Sequence, residues 1–178
     1  MKTLTAIMML VLPWFAQEKP AQKTSSLCPT HLQNASLADD RGHEGMVGRG
    51  DEIMGFSHEK TTHHFRLYAD GGSIAAEAND SEDAASRDQI RSHLGHLATL
   101  FAAGDFRAPM FIHGQNPPGT EAMKRLRDRI HYELETTKKG ARIRIRTKDP
   151  EALRAVKEFL RFQISEHQTG DSLDVSKP

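Results

Sequence analysis

Two stretches decide the fold: "HHFRLYADGGSIAAEAND", His63 to Asp80, and "IHYELETTKKGARIRIRTKD", Ile130 to Asp149. Each reads as a strand, a turn carrying glycine, and a second strand. A helical pattern follows each, from about Ser81 to Ala103 and from about Pro150 to Gln168. Asp80 and Asp149 stand where a helix N-cap is wanted, and Pro150 follows at the first helical position, where proline is tolerated. Gly104 and Gly170 supply the stops. The chain is therefore expected to form an α+β domain: two ββα repeats building a mainly antiparallel sheet of about four strands with helices on one face. Between the repeats "FRAPMFIHGQNPPG" reads as a short apolar strand or extended segment, and "TEAMKRLRDR" as a helix.

Strand parity assigns faces, because residues two apart point the same way. In the second hairpin Ile130, Tyr132, Leu134, Ala141, Ile143 and Ile145 share one face. His131, Glu133, Glu135, Arg142, Arg144 and Arg146 share the other. An arginine row beside a glutamate row is the pattern of a solvated sheet face with cross-strand ion pairs, and the aromatic residues of a nucleic-acid platform are missing. Arg144→Ala is accordingly expected to change stability by well under ~1 kcal/mol. In the first hairpin His63 falls in the core row with Phe65 and Leu67, whereas His64 falls with Arg66 and Tyr68 toward water.

The rest of the chain divides by composition. Its 178 residues suit one domain plus tails, and its 24 basic residues balance 24 acidic ones, so no global field draws it to nucleic acid or an anionic membrane. Residues 1–16, "MKTLTAIMMLVLPWFA", carry Lys2 and an apolar run too short to span a bilayer but long enough for the hydrophobic part of an export signal. A cleaved signal and a periplasmic location are expected, with an uncleaved anchor as the alternative and no span in the mature chain. Residues 17–42 are polar and aperiodic, a linker. Residues 43–171 form the domain, and 172–178 read as a disordered tail. Cys28 is the only cysteine, which excludes an internal disulfide.

Ten histidines make ligation the chemistry to weigh. His63 points to the core and needs a hydrogen-bond partner or a metal. On the following helix Ile90, Leu94, Leu97 and Phe101 define the buried stripe, and His93 and His96 form an i, i+3 pair on its flank, a spacing that lets two imidazoles meet one ion. His113 is a further candidate. A second choice is the entry stretch "RGDEIMGFSHEKTTHHFRLY", where His43, Met46, Met54 and His58 would offer imidazole and thioether, a set suited to copper. The alternative use of Met54, with Phe56, is to plug the edge of the core.

No nucleophile elbow, phosphate-binding glycine loop or dinucleotide motif is present, so no nucleotide cofactor is expected. A binding protein for copper or zinc is expected rather than an enzyme, although a metal-dependent enzyme with an open coordination position is compatible with the same residues. The competing class is a non-catalytic interaction or structural protein whose histidines are hydrogen-bonded. In the last helix Leu153, Val156, Leu160 and Ile164 read as the core stripe. Phe159 and Phe162 fall on another arc and call for a cover, either the entry segment or the same helix of a second subunit in a homodimer.

The combination "RGDEIMGF", "TTHHF", "SRDQIRSHLGHL", "PMFIHGQNPPG", "MKRL" and "FLRFQISEHQTGD" resembles a family of small exported bacterial proteins without an assigned reaction, over roughly Gly42 to Asp171. The resemblance supports the module boundaries and implies no chemistry. Aspartate carbamoyltransferase, a name attached to some of that family, does not fit: the Ser-Thr-Arg-Thr phosphate-binding motif is absent and the chain is too short for two α/β domains.

Overall fold

A computed structural model describes residues 43–176 of the chain. The expected export segment over residues 1–16, the linker over 17–42 and the side chain of His43 lie outside the described residues. The order of elements is α1 (His43–Met54), β1 (Thr61–Tyr68), β2 (Gly71–Ala78), α2 (Ala84–Ala102), α3 (Arg107–His113), α4 (Thr120–Arg125), β3 (Ile130–Thr136), β4 (Gly140–Thr147), α5 (Pro150–His167) and β5 (Val175–Ser176). The strands form one five-stranded sheet in the order β3-β4-β2-β1-β5, antiparallel except where β5 joins β1. The α+β class expected from the hairpins is the observed one.

Register follows from the turns and from the need to bury one row of each strand. Phe65 pairs with Ile74 and Ile74 in turn with Ile143, so the apolar rows of three strands lie side by side. Leu67, Ile143, Ile145, Ile90, Leu94, Phe101, Val156 and Leu160 fill the space between this face and the helices. Contact is so close at Gly72 that a Cβ there would stand 2.1 Å from Leu160 Cδ1 and 2.5 Å from the Arg66 carbonyl oxygen. Any side chain at this position would displace Leu160 and collide with the β1 backbone.

The helix ends match their local chemistry, with one shift. Asp149 caps α5, accepting from the N–H groups of Glu151 and Ala152 at 2.9 and 3.0 Å. At α2 the cap is Asp83 rather than Asp80: Asp83 accepts from Ser86 N–H at 3.0 Å, while Asp80 closes a preceding turn by accepting from Glu82 N–H at 2.8 Å. The segment read as a strand between the hairpins is the helix α3. Pro109 sits in its first turn, where a missing N–H leaves no intrahelical bond unmade, so it does not oppose the helix.

Three further expectations are corrected by packing. The buried face of α5 is Ala152, Ala155, Val156, Phe159, Leu160, Gln163 and Ile164, a wider arc than the stripe beginning at Leu153. Phe159 is 1% exposed, edge-on to Phe101 and Phe106 at 5.9 and 6.0 Å between ring centres. Phe162 lies against His113 at 4.9 Å. Phe159 is thus covered within the chain, and Phe162 is half-buried against His113. The tail is also not free up to its last described residues: Val175 and Ser176 pair in parallel with Leu67 and Tyr68. Asp171 fastens the approach by accepting from Phe65 N–H at 2.9 Å and Thr169 Oγ1 at 2.7 Å.

The outer sheet face is only partly the solvated ion-pair surface expected. Arg142 Nε donates to Glu135 at 2.8 Å, and Arg146 pairs with Glu133. Arg144, however, is 7% exposed. Its guanidinium lies over the Tyr68 ring at 4.5 Å, donates to the Gly72 and Ile145 carbonyls at 2.9 and 2.5 Å, and pairs with Asp70. The β2 residue opposite it is Ser73, small enough for the long side chain to lie flat on the sheet. Arg144→Ala is therefore expected to lower unfolding free energy by about 2 kcal/mol, since charge-assisted hydrogen bonds and a desolvated cation–π contact go together. Urea unfolding checks this, and a loss below about 0.5 kcal/mol would return Arg144 to the exposed class.

Candidate functional site

Histidines from four elements gather at one end of the helical layer. His63 comes from β1, on the core row as parity requires, and His93 from α2. His113 ends α3, and His167 ends α5. Phe56, buried just after α1, stacks on His63 at 5.9 Å with rings 19° apart and meets His93 edge-on at 5.7 Å. His167 lies 6.3 Å from His63, 5.5 Å from Phe65 and 5.0 Å from His113, all between ring centres. The rings thus run in a chain: His93 to Phe56, to His63, to His167, to His113.

Backbone packing brings α3 to this place. Gly119, at φ 85° in the "NPPG" turn, lets the start of α4 approach α5 so closely that a Cβ would stand 2.2 Å from the Ala155 carbonyl oxygen. Arg49 of α1 holds the other side, its Nε donating to the Ile112 carbonyl at 3.0 Å. Between these supports His113 meets Gln163 of α5, with 3.1 Å from Nε2 to Oε1.

Burial keeps the imidazoles neutral. His63 is lowered to about 4, chiefly by desolvation, then by the adjacent His64, with Asp51 opposing. His93 is lowered to about 4 by desolvation, then by His63 and His96. His113 is also lowered, by desolvation first, while its bond to Gln163 and the charge of Glu166 oppose. Uncharged rings keep a nitrogen lone pair in each, the form a metal binds.

His113 has the clearest donor state. With the amide oxygen of Gln163 turned toward it, Nε2 carries the ring proton and Nδ1 is the acceptor; the turned-over amide, its NH2 donating, would reverse the two. That Nδ1 is buried and has no hydrogen-bond partner, and the same holds for Nε2 of Gln163, which is 4% exposed. A histidine whose second nitrogen is tied to an oxygen is the arrangement that orients a ligating ring.

The other expected residues divide. His96 is exposed on the outer flank of α2. His58 is exposed and bonded to Asp51, at 2.8 Å from Nδ1 and 3.0 Å from its backbone N–H. Met46 is buried and Met54 packs against the core beside the buried Phe56, which is the plugging role weighed for Met54 and Phe56. His64 faces the other side of the sheet, 3.1 Å from Asp171. His167 and Gln163 were not singled out by sequence. Among the described residues no three His, Cys, Asp or Glu side chains are grouped to hold one ion, and no helix is long and apolar enough to cross a membrane.

Compared with protein-family models, curated proteins and solved structures, the chain matches none.

Proposed function

We propose that the protein binds a transition-metal ion at the histidine cluster, with His113 and His167 as the first ligands and His63 beside them. The observation that carries this reading is the buried, unpartnered Nδ1 of His113, whose opposite nitrogen is fixed by Gln163. An export signal over residues 1–16 would put such a binder outside the cytoplasm.

Copper(I) fits better than zinc. Structural zinc takes four ligands in a tetrahedron, and among the described residues His, Cys, Asp and Glu do not supply such a set. Copper(I) accepts as few as two or three soft or imidazole donors, a number that His113, His167 and His63 could supply. The bound ion would be held and shielded by the aromatic rings around it; no substrate position is defined beside it, so a binding role is favoured over catalysis.

The second reading, a non-catalytic interaction protein with packed histidines, draws on the ring contacts of His63 and His93 with Phe56, which satisfy those two rings without an ion. Metal analysis separates the readings. Untagged protein equilibrated with copper(I) under reducing conditions and desalted is expected to keep about one equivalent. His113→Ala and His167→Ala should each lower retention by about tenfold or more, whereas His64→Ala, on the opposite face, should not. Equal retention by all three variants, or none in the parent, would leave the packing reading.

A further inference from the structure

The outer sheet face holds a second feature, remote in its chemistry from the histidines. β2 presents only small residues there, Ser73 and Ala75, between Arg66 and His64 of β1 on one side and Arg144 and Arg142 of β4 on the other. The result is a trough, walled at one end by the returning C-terminal segment. A groove of about 360 Å³ opens here, lined by Arg66, Tyr68, Arg142, Asp171, Ser172 and Ser176.

Charge in the groove is unbalanced in a specific way. Of the arginines on this face, Arg142 pairs with Glu135, Arg144 with Asp70 and Arg146 with Glu133. Arg66 alone among them has no acidic partner among the described residues, and its side chain is exposed. The one carboxylate that lines the groove is already engaged: Asp171 takes hydrogen bonds from Phe65 N–H at 2.9 Å and Thr169 at 2.7 Å, and stands 3.1 Å from His64. Beside that carboxylate the lining holds the Arg66 guanidinium, a pure donor, and the hydroxyls of Ser172 and Ser176, each with an O–H to donate, Ser172 Oγ also accepting from Asp174 N–H at 3.1 Å.

We infer that this groove binds a small oxyanion-bearing molecule, a carboxylate or a phosphate ester, with Arg66 as the anchoring side chain. The fork matches either oxyanion with two parallel hydrogen bonds, which a lysine could not reproduce. The volume lies at the small end of ligand sites, which limits the ligand to roughly the size of a dicarboxylic acid or a sugar phosphate. Because the strap from Asp171 to Ser176 forms one wall, an occupant would also press the tail against β1.

The test uses the full chain and two probes at constant ionic strength, inorganic phosphate and succinate, followed by NMR at the Arg66 side-chain Nε–H and the backbone amides of Ser172 and Ser176. Saturable shifts with at least one probe are expected, with Arg66→Ala weakening that probe about tenfold or more and Arg66→Lys falling between. Arg66 is exposed, so neither variant endangers the fold. Saturation by phosphate alone would point to a phosphoryl ligand, and by succinate alone to a carboxylate. No saturable shift with either probe up to about 20 mM, or unchanged binding in Arg66→Ala, would overturn the inference.

Discussion

Replacing Gly119 with alanine is expected to destabilise the domain by about 3 kcal/mol or more and to disperse the histidine cluster with it. Two effects act together at this position. The backbone is at φ 85°, a conformation that L side chains rarely adopt, and the added methyl would stand 2.2 Å from the Ala155 carbonyl oxygen and 3.0 Å from its carbon. Neither contact can be relieved by a side-chain rotation, because both atoms belong to the α5 backbone. Relief requires the start of α4 to move away from α5, and α3, just ahead of the same turn, moves with it. His113 should then lose Gln163. Thermal unfolding and the His113 side-chain resonances read the two consequences. A variant with the parent's midpoint and an intact His113 signal would show that the turn can relax locally.

Acid should weaken the fold in a window set by the buried histidines. In the unfolded chain His63 and His93 titrate near 6.5, whereas in the folded protein both are lowered to about 4. Between these values the unfolded state binds more protons, so its free energy falls relative to the native state as pH is lowered. The stability these groups contribute is complete above pH 6.5 and is lost as pH falls through about 4. Each shift corresponds to roughly 3 kcal/mol, and because His63 is one of the groups that lowers His93 their sum is smaller than twice that. A second loss belongs to Asp83, Asp149 and Asp171, which are held below their ordinary values by hydrogen bonds and so lose stability only at still lower pH. Urea midpoints from pH 7.5 to 3.5 should show the first window, and His93→Gln should flatten part of it. A midpoint constant from pH 6.5 to 4 would mean these rings are solvated or already charged.

What the sequence reveals and what it hides follow from the reach of each interaction. Strand parity places His63 on the core row and His64 off it, because the period of two is a property of the backbone alone. The cap at Asp149 is equally local. Arg144 shares its row with Arg142 and Arg146, and only the tertiary positions of Tyr68 and Asp70 separate it from them. In α3 the apolar run Met110 to Ile112 suits either a strand or a helix, and its proline sits where neither is excluded. The histidine pair was sought along one helix, at His93 and His96, since sequence shows spacing within an element. The pair that meets most closely, His113 and His167, comes from two elements, α3 and α5, far apart in sequence. One signal was available: Val156, Leu160, Gln163 and His167 recur at intervals of 4, 3 and 4, so a polar pair continues the buried arc of α5. Both residues lie on or beside the stripe of Leu153, Val156, Leu160 and Ile164, and only their polarity sets them apart from it.

The claim on which the account rests is that His113 offers a buried Nδ1 lone pair to a metal ion. Long-range nitrogen–proton NMR of the imidazoles, before and after addition of one equivalent of copper(I), tests it most directly because copper(I) is diamagnetic. In the free protein His113 is expected to be neutral with the proton on Nε2, and on loading its Nδ1 resonance is expected to move together with a nitrogen of His167. A free protein with the proton on Nδ1, or a loading response confined to the exposed rings of His58, His96 and His131, would contradict it.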